Sequence, residues 1–166
     1  MTKADAAILA DKVLKTYWLP NDFPIDPAFI ANKLGVKVSE VELPETFSGA
    51  LTKKRDKDPY IIIRKDDHMN RKRFSCAHEI GHYVARVETN TLEAEYDYVD
   101  LRSDFSSIGK DEDEIFANEF AANLLMPANA VKQLYKQDMS IIAMSRFFEV
   151  SNEAMSHRLT NLGLAR

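Results

Sequence analysis

Two of the four histidines stand one helical turn apart, in the run His78-Glu79-Ile80-Gly81-His82. On a helix, residues i and i+4 share a face, so both imidazoles can reach one metal ion. Glu79 is rotated about 100° from His78 on a helix of 3.6 residues per turn. It cannot readily join the same ligand set, but it can contact a water on the metal. Two neutral nitrogen donors and one carboxylate base are what zinc-dependent peptide hydrolysis requires. The alternative is a pair of hydrogen-bonded core histidines. That arrangement needs several buried polar partners, and such groups are costly to bury.

A catalytic zinc takes three protein ligands and a water. A histidine six residues after His82 is excluded, because that position is Glu88. Glu88 itself would serve only if the helix broke sharply after Tyr83, and nothing there breaks it. The better candidate is Glu114, with Asn118 one turn on. A helical wheel puts both beside Ala121 and Leu125 on the apolar side, with Glu112, Glu119 and Asn123 facing solvent. A carboxylate and an amide on a buried side need a reason. Glu114 as third ligand, with Asn118 accepting from the outer ring nitrogen of a ligating histidine, supplies one.

These residues must be held by regular elements. Phe74–Ala77 and Tyr83–Ala85 contain no breaker, so a helix of about Asn70–Val87 carries the histidine pair. Cys76, Ile80, Tyr83, Val84 and Val87 fall on its opposite arc and are expected in the core. A second helix, about Asp111–Met126, carries Glu114 and stops at Pro127. Upstream, Lys3–Trp18 has helical apolar spacing. Asp26-Pro27 reads as an N-cap followed by proline at the first helical position, and that helix ends at Gly35. Val36–Val41 reads as a strand, and Leu51-Thr52 and Tyr60–Ile63 as a hairpin. Glu88–Lys110 is polar and reads as an irregular loop. Helices of about Ala128–Gln137, Ser140–Phe148 and Asn152–Asn161 close the chain, the last behind Ser151 as N-cap. The fold class is α+β and mainly helical, with a small sheet in the N-terminal half packed on the active-site helix.

The length of 166 residues fits one domain, residues 1–166, whose last part (about 128–166) is helix-turn-helix-like. The single cysteine, Cys76, excludes an intramolecular disulfide and an all-cysteine zinc knuckle. A net charge of −4 argues against nucleic acid as the main partner. The basic runs Lys53-Lys54-Arg55-x-Lys57 and Arg71-Lys72-Arg73 read as a solvated hairpin and a solvated helix start. No apolar run approaches the ~20 residues of a membrane span. No signal peptide is read, so the cytoplasm is the expected location.

The segment Arg73–His82 resembles the first signature of the ImmA/IrrE metallopeptidases, and Glu114–Pro127 resembles the second. Weaker likeness extends through Ile25-Asp26-Pro27, Ile30–Val36, Ser48–Leu51, Phe147–Ser151, Arg158-Leu159 and Asn161–Leu164. The resemblance implies a gluzincin-like fold, His78, His82 and Glu114 as zinc ligands, and Glu79 as catalytic base. It implies a protein substrate too: a helix-turn-helix transcriptional repressor encoded nearby, in a prophage, mobile element or stress-response locus. It assigns no oxyanion-stabilising group; His68, His157, Tyr83 and Tyr96 are the candidates.

An extended substrate adds a strand to a sheet edge, and Gly49, Ala50, Leu51 and Thr52 are read as that edge. A DNA-binding regulator is the rival reading. The helices Ser140–Phe148 and Asn152–Asn161 have helix-turn-helix spacing, and His157, Arg158 and Asn161 would face a groove. Basic residues only slightly outnumber acidic ones after Ala128, a thin basis for phosphate contacts, so direct DNA binding is not expected. A third reading is a module that holds a repressor without cutting it; the intact His-Glu-x-x-His set argues against it.

Overall fold

The structure is a computed structural model. It describes residues 1–18, 22–54, 56–89, 112–164 and, as backbone alone, 96–101. Among the described residues, seven helices and four strands follow the order α1 (Lys3–Tyr17), α2 (Pro27–Lys33), β1 (Lys37–Val41), β2 (Phe47–Lys53), β3 (Tyr60–Arg64), α3 (Met69–Glu88), β4 (Tyr96–Leu101), α4 (Glu112–Leu125), α5 (Ala128–Lys136), α6 (Ile141–Phe148) and α7 (Asn152–Asn161). The class is α+β, mainly helical with one small sheet.

Local chemistry sets the helix starts. Asp26 accepts from the backbone N–H of Ala28 and Phe29, and Pro27 occupies the first turn, where no N–H is needed. Gly35, at φ +81°, takes the left-handed conformation that ends α2. Ser140 and Ser151 cap α6 and α7 through the N–H of Ala143 and Ala154.

The sheet order is β1-β3-β2-β4. β1 runs parallel to β3, and β2 runs antiparallel to both β3 and β4. The β2–β3 hairpin matches the sequence reading. β4 does not, because it falls inside Glu88–Lys110, whose polar composition reads as loop; residues 90–95 and 102–110 of that stretch lie outside the described residues. The signal for β4 was present in Tyr96-Asp97-Tyr98-Val99-Asp100-Leu101, where apolar and acidic residues largely alternate.

Helix α3 lies between the sheet and α4, and α1 packs on α4. The close approach of α3 to α4 uses a glycine. A Cβ on Gly81 would sit 3.0 Å from Ala117 Cα and 3.3 Å from its carbonyl oxygen. A Cβ on Gly49 of β2 would crowd the sheet, 3.1 Å from the Ile62 carbonyl oxygen and 3.2 Å from Ile63 Cδ1, and would make only ordinary contact with Ser75 of α3. Cys76, Ile80, Tyr83 and Val84 are buried on α3 as read, but Val87 is 40% exposed, because it lies beyond the packed part of the helix.

In the basic start of α3, Arg71 is exposed as read, whereas Lys72 and Arg73 are partly covered, and all three side chains are engaged. Arg71 donates twice to Ser48 Oγ, at 2.8 and 3.1 Å, and Lys72 pairs with Glu40 at 2.7 Å. Arg73 donates to the carbonyls of Ile25, Phe148 and Glu149, joining the start of α2 and the end of α6 to the histidine helix. In the other basic run, Lys54 and Lys57 are exposed and Lys53 is half-buried, while Arg55 lies outside the described residues.

Candidate metal centre

His78 and His82 are successive turns of one face of α3, each 3% exposed. Their Nε2 atoms lie 3.0 Å apart. At that separation at least one must be unprotonated, since two N–H groups cannot face each other. Glu114, from the first turn of α4, closes the triangle. Its Oε2 is 3.3 Å from His78 Nε2 and its Oε1 is 3.1 Å from His82 Nε2. Tetrahedral zinc with bonds of 2.0–2.1 Å to nitrogen or oxygen separates its donors by about 3.3 Å. One donor atom from each residue, two imidazole nitrogens and a carboxylate oxygen, lies within 4.8 Å of the others, and this donor set could hold a divalent metal.

The protonation states agree with this. Hydrogen bonding with the His78 and His82 imidazoles, of which at most one can donate to it at a time, holds the Glu114 carboxyl well below the usual carboxylate range. Burial pushes the His82 imidazole below its ordinary value, against the pull of Glu114. Ionised carboxylate and neutral imidazole are the forms that bind metal. His78 Nδ1 lies 3.1 Å from Asn118 Oδ1, so an Nδ1–H donated there leaves Nε2 free to ligate. The Phe74 ring stands 6.5 Å from the His78 ring, one turn earlier on the same face. Glu79 is fully buried at the centre of α3.

The helical wheel of α4 needs correction. Glu114 keeps 48% of its side-chain exposure, and Asn118 is exposed. The buried residues are Phe116, Ala117, Phe120, Ala121, Asn123, Leu124 and Leu125. Because α1 and α3 both pack on α4, its covered surface is wide, and Glu114 and Asn118 lie on the border beside the histidines. Asn123, read as solvent-facing, is instead buried, and its Oδ1 accepts from Arg158 at 2.7 Å. Glu119 is only partly exposed and lies 3.7 Å from the same guanidinium, while Glu112 faces solvent as read.

The remaining sequence candidates lie elsewhere. α3 stays helical through Glu88, which is about 9 Å along the axis from His82 at 1.5 Å per residue and pairs with Lys12 at 3.1 Å. His68 caps the start of α3, and Tyr83 donates to the Leu34 carbonyl on the helix's other side. His157 is exposed on α7, 3.8 Å from Glu153. The Tyr96 side chain lies outside the described residues. Gly49, Ala50, Leu51 and Thr52 do not form a free edge. They pair with Ile63, Ile62, Ile61 and Tyr60 on one side and with Asp100, Val99, Tyr98 and Asp97 of β4 on the other. The backbone of β2 is thereby committed to the sheet.

The comparisons with known proteins follow from this geometry. Residues 31–160 match the model of the peptidase family M78, described as an IrrE N-terminal-like domain. The chain belongs to this family. Within this M78 domain, the matched region includes both helices that bring His78, His82 and Glu114 together, and Glu79 lies on the first of them. Among solved structures, a Mycobacterium tuberculosis transcriptional regulator superposes with a TM-score of 0.64 at 15% identity. The superposition covers 95% of this chain and 46% of that one, so the M78 domain spans less than half the regulator's length. At such identity the likeness shows the fold alone. A comparison with curated proteins finds none that matches. Among the described residues no helix is long and apolar enough to cross a membrane.

Proposed function

We propose that this M78 domain is a zinc-dependent endopeptidase that cleaves a helix-turn-helix transcriptional repressor encoded nearby. The observation that carries the reading is the grouping of His78 and His82, on a helix that also bears Glu79, with Glu114 of α4. Zinc held there supplies a water of lowered pKa and a Lewis acid for the scissile carbonyl. Glu79 takes the proton of the attacking water and returns it to the leaving amine. Asn118 holds His78 in the ligating tautomer. The cytoplasm, where such a repressor acts, is the location that fits this substrate.

A DNA-reading role finds less support. Arg158, which that reading turns towards a groove, is 3% exposed and donates to Met126 O and Asn123 Oδ1. α7 then braces α4 instead of presenting a basic face.

Zinc content tests the reading. Wild type is expected to hold about one zinc per chain, as a single three-ligand site requires, and both His78→Ala and Glu114→Ala to lose it. A zinc-free wild type prepared without chelator would overturn the peptidase reading in favour of a module that holds its partner uncut. Zinc retained by Glu114→Ala would remove Glu114 as third ligand.

A further inference from the structure

We propose that Asn118 binds the main chain of the peptide as well as orienting His78, through the two ends of one amide. The proposal rests on the metallopeptidase reading and concerns this chain's own residue beside the metal. A ligating His78 must present an unprotonated Nε2, so the ring proton sits on Nδ1. Nδ1–H then needs an acceptor, and the atom 3.1 Å away is Asn118 Oδ1. An amide carries its acceptor and its donors on opposite arms. With Oδ1 turned inwards to His78, Nδ2 and its two N–H groups are turned outwards.

Asn118 is exposed, whereas the two histidines beneath it are buried. Its donors therefore stand at the open rim of the site. One imidazole ring separates Asn118 from the metal-facing nitrogens, which is too far for the oxyanion of the reacting carbonyl. It is the right neighbourhood for a main-chain carbonyl flanking the scissile bond. A neutral donor recognising main chain makes no demand on side-chain identity, and β2 cannot offer its backbone for the purpose, because β3 and β4 already pair with it. A carboxylate at position 118 would orient His78 equally well, but it would have no donor left for substrate.

The test uses the full zinc-loaded chain and two metal-binding probes, acetohydroxamate and the dipeptidyl Leu-Gly hydroxamate. Calorimetry gives Kd for each. Asn118→Asp keeps an acceptor for His78 and removes the donors. It is expected to retain zinc while its preference for the dipeptidyl probe over acetohydroxamate falls about 3- to 10-fold, the worth of one hydrogen bond. Asn118→Ala should lose that preference and also bind zinc about 10- to 100-fold more weakly. An unchanged preference in zinc-loaded Asn118→Asp overturns the proposal. So does loss of zinc from Asn118→Asp, since the donor end would then be the end that serves His78. Failure of acetohydroxamate to bind zinc-loaded wild type would instead sink the metallopeptidase reading beneath it.

Discussion

Gly81 and Ala117 meet so closely that a Cβ on Gly81 would lie 3.0 Å from Ala117 Cα, and the backbone of α4 would have to give way by a few tenths of an ångström to admit it. The contact sets the distance between α3 and α4. Glu114 is one turn before Ala117, and Asn118 is the next residue. One close approach therefore places both the third ligand candidate and the His78 partner.

Gly81→Ala separates packing from helix propensity. Alanine gains up to about 1 kcal/mol in a helix interior. Overpacking against the α4 backbone costs about 1–3 kcal/mol. We expect a modest net loss of stability, with Tm lowered by a few degrees at most, and a fall in zinc affinity of at least about 10-fold, because Glu114 is pushed away from His78 and His82. Competition with a chromophoric chelator measures the affinity. Wild-type affinity in a folded variant would refute the spacing argument.

Glu79→Gln keeps the shape of the side chain and removes its basicity. Zinc content and fold should be retained. Cleavage should fall by about 10²- to 10⁴-fold, the usual contribution of a positioned general base. The assay is gel analysis of the repressor after incubation with equal amounts of wild type and variant. Cleavage at the wild-type rate would remove Glu79 from the reaction.

Arg158 is a buried cation that binds α7 to the end of α4. It donates to Met126 O at 3.0 Å and Asn123 Oδ1 at 2.7 Å. Lysine cannot reproduce the planar fork. Arg158→Lys should destabilise by about 3 kcal/mol, since it leaves buried partners unmatched. For a chain of this length that is a Tm decrease of about 6–12 °C. Urea unfolding checks it; a change under about 0.5 kcal/mol, the range of a surface substitution, would contradict the bracing role.

The metal-free protein should lose stability as pH falls. Burial lowers the His82 pKa from an ordinary 6.5. The unfolded chain thus takes up that proton at a higher pH than the folded one, and stability declines as pH drops through and below about 6.5. Hydrogen bonding with His78 and His82 lowers the Glu114 pKa from 4.5. Its contribution is present above that value and disappears below it. Melting curves of chelator-treated protein between about pH 7 and about pH 4 should show a falling midpoint. His82→Ala should flatten the upper part of the fall; an identical slope in that variant would contradict the assignment.

What was legible in the sequence was local. Asp26-Pro27, Ser140 and Ser151 announce helix starts through contacts two or three residues away. The His78–His82 spacing needs only one turn of helix to put two nitrogens together. The rest depends on partners distant along the chain. β4 is a strand because β2 pairs with it. That pairing also turned the expected free edge, Gly49–Thr52, into sheet interior. Asn123 is buried because Arg158 reaches it, and the exposed border of α4 is defined by α1 and α3 together. Arg73 looked like a solvated cation because its three carbonyl acceptors come from residues 25, 148 and 149.

The three donor atoms lie on two helices separated by a long excursion of chain, from His82 to Glu114. A metal joining them is a cross-link, and it closes a loop in the same thermodynamic sense as a disulfide. Closing a long loop removes much of the freedom the open chain would otherwise have. A metal at this site would fasten α4 to α3, and with α4 the helices α1 and α7 that lean on it. Without the metal, that joint would rely on the Gly81–Ala117 contact, its apolar neighbours and the hydrogen bonds that Glu114 and Asn118 make with the histidines.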